Sequence, residues 1–377
     1  MHDTHRRSLE ALKRRGRLRA LAPRHGLDFS SNDYLGLAQS DTLRRAAAAA
    51  LARGVPLGAG GSRLLRGNHP EHEALEEKAC RWLGARAALF VGGGFPANSA
   101  IFATLPERGD LVVHDALIHA SVRDGMRASR ADHVAFAHND ADAAQDAIQA
   151  WRTAGGCGRP WIAVESLYSM DGDTAPLADL LAVATRHDGI LVIDEAHSTG
   201  VLGDDGRGLA ATFEGRADVV VLHTCGKALG VMGAIVTLDP SLRDYMVNRA
   251  RSFIYATAPS PLVAATVAAA IDVVTQEPDL RQRHAALVSH FAARLRQRTG
   301  LAATGTHIQP IVIGRDERAT ELARRMQDAG FDIRAVRPPT VPEGTARLRI
   351  SLTLNVTEPD VDRMLDVLAR ALDGDSA

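Results

Sequence analysis

The hydrophobic rhythm of the chain changes partway along. From about residue 70 to residue 250, short runs that are apolar throughout alternate with stretches that are apolar every three or four positions. The runs are ARAALFV (85–91), DLVVHD (110–115), HVAFAH (133–138), WIAVES (161–166), GILVIDEA (189–196), DVVVLHT (218–224) and GAIVTL (233–238). A strand apolar at consecutive positions is covered on both faces, so these runs predict a mostly parallel α/β sheet flanked by helices. Helices are expected at PANSAIFATL and around 119–128. Beyond about residue 260 a long alanine-rich helical stretch (261–298) leads to IQPIVIG, a helix at 317–329, FDIRAV, ARLRISL and a last helix near 357–372. That pattern is α+β. The expected organisation is an N-terminal segment (1–45), a large domain (46–275) and a small C-terminal domain (276–377).

Composition narrows the partners. The formal net charge is −1, which supplies no general attraction for nucleic acid or a membrane surface. Cys80, Cys157 and Cys225 are too scattered for a disulfide framework or a cysteine-based metal site, so no metal is expected. The first twenty-one residues place Arg and Lys at helical spacing around Leu9, Leu12, Leu18 and Leu21, without the apolar core of a secretory signal. An amphipathic helix and a cytoplasmic location follow as expectations.

In an open α/β sheet, ligands bind beyond the carboxyl ends of the strands. Here the polar residues collect there: Gly92–Gly94 with Phe95, Asp115 and His119, Glu165 with Ser166 and Ser169, Asp194 with Glu195 and His197, then His223, Thr224 and Lys227. A lysine at the end of a central strand is costly to desolvate unless it is used. Asp194 and Lys227 lie about one strand-helix-strand unit apart, so both can project into one crevice. That pair suits pyridoxal 5′-phosphate: the lysine forms a Schiff base with the aldehyde, and the aspartate keeps the pyridine nitrogen protonated. Glycines at the mouth of a helix supply backbone N–H groups for the phosphate.

Blander readings exist for each piece. Lys227 fits a solvated loop, Asp194 a helix cap, and His119 and His197 structural histidines. VGGGFPA also fits a dinucleotide fingerprint, with Asp115 placed for a ribose, which would make the chain an NAD-dependent dehydrogenase. That reading leaves Asp194, His197, Thr224 and Lys227 without roles. The pyridoxal reading uses every strand end.

A run of motifs carries a family likeness: SSNDYLGL (30–37), GSRLLRGNHPEHEALE (61–76), HDALIHAS (114–121), SLYSMDGDTAPL (166–177), IDEAHSTGVLGDDGRG (193–208), HTCGKALG (223–230) and RPPTVPEGTARLRISLT (337–353). In these the chain resembles the α-oxoamine synthases, a branch of the fold-type I pyridoxal-phosphate enzymes. The resemblance implies that Lys227 carries the cofactor, Asp194 pairs with the ring nitrogen, His197 bonds the ring hydroxyl and His119 stacks on the ring. Ser169, Thr224, Gly94 and Phe95 would complete the cofactor site. Asn32, His119, Arg337, Thr340 and Arg349 would face the substrates, with Arg349 gripping an amino-acid carboxylate.

The implied reaction is a decarboxylative condensation of L-alanine with a pimeloyl thioester, on coenzyme A or an acyl carrier protein, on the route to biotin. Glycine-using relatives, other acyl thioesters and an aminotransferase are the neighbouring alternatives. The resemblance also implies a homodimer, with YATAPSP (255–261) reaching the partner's site. VGGGF is one residue longer than the family's usual turn, and either Arg19 or Arg24 fits the arginine expected beside the acyl substrate.

Overall fold

The computed structural model describes residues 2–21 and 23–373. They form two compact units. The large unit comprises Leu35–Ser169 and Asp173–Gln282, and the small unit Met1–Tyr34, Met170–Gly172 and Arg283–Ala377.

The large unit is built on a seven-stranded sheet of β1 (Ala87–Val91), β2 (Leu111–Asp115), β3 (Asp132–Phe136), β4 (Pro160–Glu165), β5 (Ile190–Asp194), β6 (Val219–Thr224) and β7 (Ala234–Leu238). Its order is β1-β7-β6-β5-β4-β2-β3. The pairs from β6 across to β3 are parallel, and β7 runs antiparallel to both of its neighbours. Alternate residues of the central strands enter different cores. Val112, Ala163, Val192 and Val220 pack with Ile101, Phe102, Val122 and Met126. Val113, Ile162, Leu191 and Val221 pack with Ile148 and Leu180 instead. This two-sided burial is why the strands read as continuous apolar runs.

HVAFAH departs from that expectation. In β3, Asp132 to Ala135 are exposed and only Phe136 is buried, because β3 is the sheet edge. The long helical stretch after residue 260 also divides into Pro261–Gln276 and Pro278–Thr299. Pro278 cannot donate an amide to the preceding turn, but fits the start of a new helix.

In the small unit, β8 (Ile308–Gly314), β9 (Arg334–Val336) and β10 (Ala346–Ser351) form an antiparallel sheet with β10 in the middle. Leu27–Asp28 pairs with Phe331–Asp332, and Phe29 enters a core with Phe291, Leu348 and Leu365. The N-terminal helix ends earlier than its leucine spacing suggests. It covers Asp3–Arg14, and Gly16 turns the chain at φ 64°, leaving Leu18 and Leu21 beyond it. Among the described residues, no helix is long and apolar enough to cross a membrane.

Candidate active site

The chemistry of the large unit sits on one face of the sheet. Glu165 and Asp194 end adjacent parallel strands and pair directly in register, so their side chains leave the sheet on the same side. Asp194 and Thr224 lie an even number of residues beyond Val192 and Val220, which places them on the face covered by the helix Gly94–Thr104. That helix begins directly after the glycine turn, so its first N–H groups open toward the strand ends.

Asp194 is 7% exposed and accepts hydrogen bonds from Asn98 Nδ2 (2.7 Å) and the Ala196 N–H (2.9 Å). Two donors fix its aim from the end of β5. Asn98 also donates to Ser121 Oγ (3.0 Å), which meets His119 Nδ1 at 2.7 Å. Because the Ser121 N–H also points at Nδ1 (3.3 Å), this network assigns the ring proton of His119 to Nε2. His119 caps the helix Ala120–Ala128, and its ring stands edge-on to Phe95 at 6.3 Å. Desolvation lowers its pKa, Asp194 opposes that shift and Lys227 adds to it. One buried asparagine thus ties together two of the expected site residues.

Lys227 lies three residues past β6, half-buried, with Nζ 2.7 Å from His197 Nε2. Thr224 Oγ1 sits opposite the glycine turn, where a Cβ added to Gly94 would come within 3.4 Å of it. Ser169 occupies the tip of the hairpin that follows β4, and its N–H donates to Glu165 Oε2 (3.1 Å). Glu165 is 2% exposed, and its Oε1 is buried with no hydrogen-bond partner among the described residues. Burial, reinforced by the Asp194 charge, pushes its pKa up to about 8, while Lys227 pulls the other way. Glu165 therefore carries a proton at neutral pH beside Asp194.

These residues fit pyridoxal phosphate. The buried carboxylate, the lysine beside an imidazole, and a side-chain-free cradle between a helix N-terminus and a threonine hydroxyl match the needs of ring nitrogen, aldehyde and phosphate. The dinucleotide alternative fails on the same structure. β1 is a sheet edge beside an antiparallel strand, rather than the first strand of a central parallel unit. Asp115 is fully buried and accepts from the Leu117 and Asn139 N–H groups and from His138, so it is not presented to a ribose.

The small unit brings together Asn32, Tyr34 and Arg349. Arg349 is 7% exposed in the central strand β10, not on an edge. It donates to Ser351 Oγ (2.6 Å) and Asn32 Oδ1 (3.1 Å), and the Tyr34 hydroxyl donates to that same Asn32 oxygen (3.1 Å). Burial raises the Tyr34 phenol to about 12, against the opposing Arg349 charge. Arg337 and Thr340 lie apart from this cluster, on the loop after β9. Arg337 donates to the Gly16 carbonyl, and Arg19 donates to Thr340 Oγ1 (3.3 Å). Arg17, bonded to Asp316 (2.6 Å) and in two-pronged fashion to Glu343 (2.9 and 2.7 Å), anchors that segment. A cavity of about 300 Å³ opens between Arg19, Met170, Arg337 and Thr340.

Sequence reasoning passed over Asn98 and assigned no role to Glu165. The signal for Asn98 was a polar residue on the otherwise apolar PANSAIFATL. The protonation of Glu165 has no signature along the chain, because it depends on what surrounds the carboxyl.

The chain is similar to known proteins along nearly its whole length. The family described as Aminotransferase class I and II matches residues 24–368. The 8-amino-7-oxononanoate synthase of Chromobacterium violaceum is 42% identical over 348 residues, 91% of this chain and 88% of that protein. Among solved structures, the 8-amino-7-oxononanoate synthase of Francisella tularensis superimposes with a TM-score of 0.79 at 25% identity, covering 93% of this chain and 99% of that one. Serine palmitoyltransferase of Sphingomonas wittichii reaches 0.86 at 26% identity, covering 100% and 98%. With its lysine, buried aspartate and glycine cradle in place, the chain belongs to the aminotransferase class I and II family, as a pyridoxal-phosphate enzyme of the α-oxoamine synthase branch.

Proposed function

We propose that the chain condenses L-alanine with a pimeloyl thioester to form 8-amino-7-oxononanoate, the reaction its relatives are named for, in biotin synthesis. The observation that carries the reading is that Asp194 and Lys227 stand at and past the carboxyl ends of adjacent central strands, with Lys227 Nζ 2.7 Å from His197 Nε2, in a chain 42% identical to a synthase of that name.

Pyridoxal phosphate, when bound, supplies an aldehyde that links reversibly to amines and a ring that accepts the electron pair left at a substrate carbon. Lys227 would hold the aldehyde of the cofactor, and its amine is the base placed to take the Cα proton of alanine. Asp194, held in place by Asn98 and the Ala196 N–H, would pair with the ring nitrogen. His197 orients the Lys227 amine and the ring hydroxyl. Thr224, Ser169 and the amides of Gly94 and Phe95 bind the remaining cofactor oxygens. Arg349 grips the alanine carboxylate with Asn32 beside it, and Arg337, Thr340 and Arg19 serve the acyl side.

In the net reaction the Cα of alanine forms a bond to the thioester carbonyl carbon and the thiol leaves. The alanine carboxylate is then lost as CO2, and a proton returns to Cα. His119, whose Nε2 carries the ring proton, donates a hydrogen bond to the thioester oxygen as it gains charge.

The reading extends to a cytoplasmic homodimer with the cofactor in the large domain. Leu57, Leu65, Met232 and Tyr255 are 72%, 85%, 72% and 72% exposed, apolar surface of the sort a second copy would cover. A sedimentation profile at twice the monomer mass checks the dimer. The acyl group arrives on coenzyme A or on a carrier protein, and the two are separated by assaying each thioester.

The test is a visible spectrum and a product assay on purified protein. A yellow protein that loses its band in Lys227→Ala and makes the amino-ketone from L-alanine and pimeloyl-CoA or the carrier-linked thioester supports the reading. Equal or better turnover with glycine or L-serine would move the chain to another substrate within the same chemistry. A protein that binds no pyridoxal phosphate would overturn the reading altogether.

A further inference from the structure

The strand end of β3 holds a histidine that the reaction above does not use. His138 Nδ1 lies 2.9 Å from Asp115 Oδ1, and Nε2 lies 2.7 Å from Asp173 Oδ2. A neutral imidazole has one N–H and one bare lone pair, so one of these contacts would set a lone pair against a carboxylate oxygen. Both contacts are satisfied only when both nitrogens carry hydrogen. Asn139 Nδ2 also lies 3.3 Å from Nε2, a contact a bare lone pair would satisfy, but the shorter Asp173 contact calls for a hydrogen on that nitrogen, so the arrangement is that of an imidazolium bridging two carboxylates.

Each carboxylate belongs to a loop that presents a cofactor-site residue. Asp115 ends β2 and accepts from the Leu117 N–H (2.7 Å), which fixes the turn leading to His119. Asp173 closes the hairpin that carries Ser169: its carbonyl accepts from the Tyr168 N–H (2.9 Å), and Leu167 bridges to Thr174. Asn139 doubles the link, giving its N–H to Asp115 (2.8 Å) and its amide to Asp173 (2.8 Å) from a left-handed backbone at φ 57°. The Tyr168 ring stands edge-on against His138 at 4.4 Å.

We propose that His138 is a positioning residue, a cationic clasp that locks the His119 loop to the Ser169 hairpin and so keeps that wall of the cofactor site assembled. The proposal rests on the reading of His119 and Ser169 as cofactor-facing residues. It makes that wall pH-dependent. The titratable groups facing His138 are Asp115 and Asp173, with the Tyr168 phenol held far above its ordinary value by burial. The two carboxylates outweigh desolvation and raise the pKa of the imidazolium. By linkage, a raised histidine contributes fully below its unfolded value near 6.5, and the contribution is lost as pH rises through the higher folded value.

The experiment measures the dissociation constant for pyridoxal phosphate from pH 5.5 to 9.5, for the wild type, His138→Gln and Asp173→Asn. Taking each variant as a ratio to the wild type removes the pH dependence of the lysine linkage itself. His138→Gln should bind about tenfold more weakly at the acid end and converge on the wild type at the alkaline end. Asp173→Asn removes one of the two carboxylates and should move the wild-type midpoint to lower pH. An independent readout is amide exchange in protein without added cofactor: protection at Leu117, Asn139 and Tyr168 should fall in the wild type as pH passes through the His138 titration.

A ratio that stays constant with pH, or protection that does not change, overturns the clasp even if His138→Gln is destabilised. If the wild type forms no Lys227-dependent complex with pyridoxal phosphate, the functional reading fails instead. The exchange data then still decide whether the clasp exists.

Discussion

The strand ends of the large unit and the central strand of the small unit handle charge in opposite ways. In the large unit the central strands hold no Lys, Arg, Asp or Glu before their last residue, and Asp194, Thr224 and Lys227 stand at or past the ends of the ladders. In the small unit Arg347 and Arg349 sit inside β10 itself, 4% and 7% exposed. Arg347 is matched by Asp171 at 2.5 Å, whereas Arg349 is oriented by the side-chain oxygens of Ser351 and Asn32. Neutral acceptors aim a guanidinium without neutralising it, while a carboxylate holds one for structure. We propose that these two arginines on one face of one strand have different duties, Arg349 toward ligand and Arg347 toward the fold.

The largest expected effect tests the strand-end side. Lys227→Ala should lower turnover by about 10⁴-fold or more, because it removes both the attachment point and the base. Steady-state assay with a spectrum of the same sample checks it. Turnover within tenfold of wild type would mean the lysine is a bystander.

The arginine pair gives the next contrast. Arg349→Lys should raise KM for the amino acid about 10- to 100-fold, as loss of a charged, two-pronged contact does, with little change in stability. Arg347→Met should do the reverse, costing about 3 kcal/mol in urea unfolding while KM stays near wild type. If the two variants behaved alike, the division between ligand and fold would collapse.

Glu165 sharpens the comparison inside the large unit. Its folded pKa lies above its unfolded one, so the native state binds the extra proton. Stability must then fall as pH rises from the unfolded carboxyl value toward about 8, and level off above it. Glu165→Gln removes that slope, so urea midpoints for the variant should decline less than wild type between mildly acid and mildly alkaline pH. Equal slopes would show that Glu165 is ionised throughout.

The smallest effect concerns the cradle. Gly94→Ala brings a methyl to 3.4 Å from Thr224 Oγ1, close enough to require a shift of a few tenths of an ångström. Cofactor affinity should drop a few-fold, well under the loss from Lys227→Ala, and equilibrium dialysis measures it.

What could be read from the chain follows from how local each feature is. Each expected sheet run became a strand, with bounds shifted by no more than two residues at most ends, because burial on both faces writes a continuous apolar signature. Edge position writes none. β3 has the same apolar letters as its neighbours, yet most of it is exposed, since being last in a sheet is a property of the other strands. The lysine, aspartate and glycine turn were legible for the opposite reason: each interrupts an apolar pattern at a strand end. Asn98, one polar side chain on a buried helix, carried a fainter form of that signal.

The sequence alone determined which runs would become strands and where polar residues would gather at their ends, because periodicity and desolvation cost act residue by residue. Only the tertiary structure decided that Glu165 keeps its proton beside Asp194, that Arg347 meets Asp171 at 2.5 Å, and that His138 is held between two carboxylates. Those properties depend on distances between residues far apart in the chain, and Coulombic and hydrogen-bond energies follow distance in space, not separation in sequence.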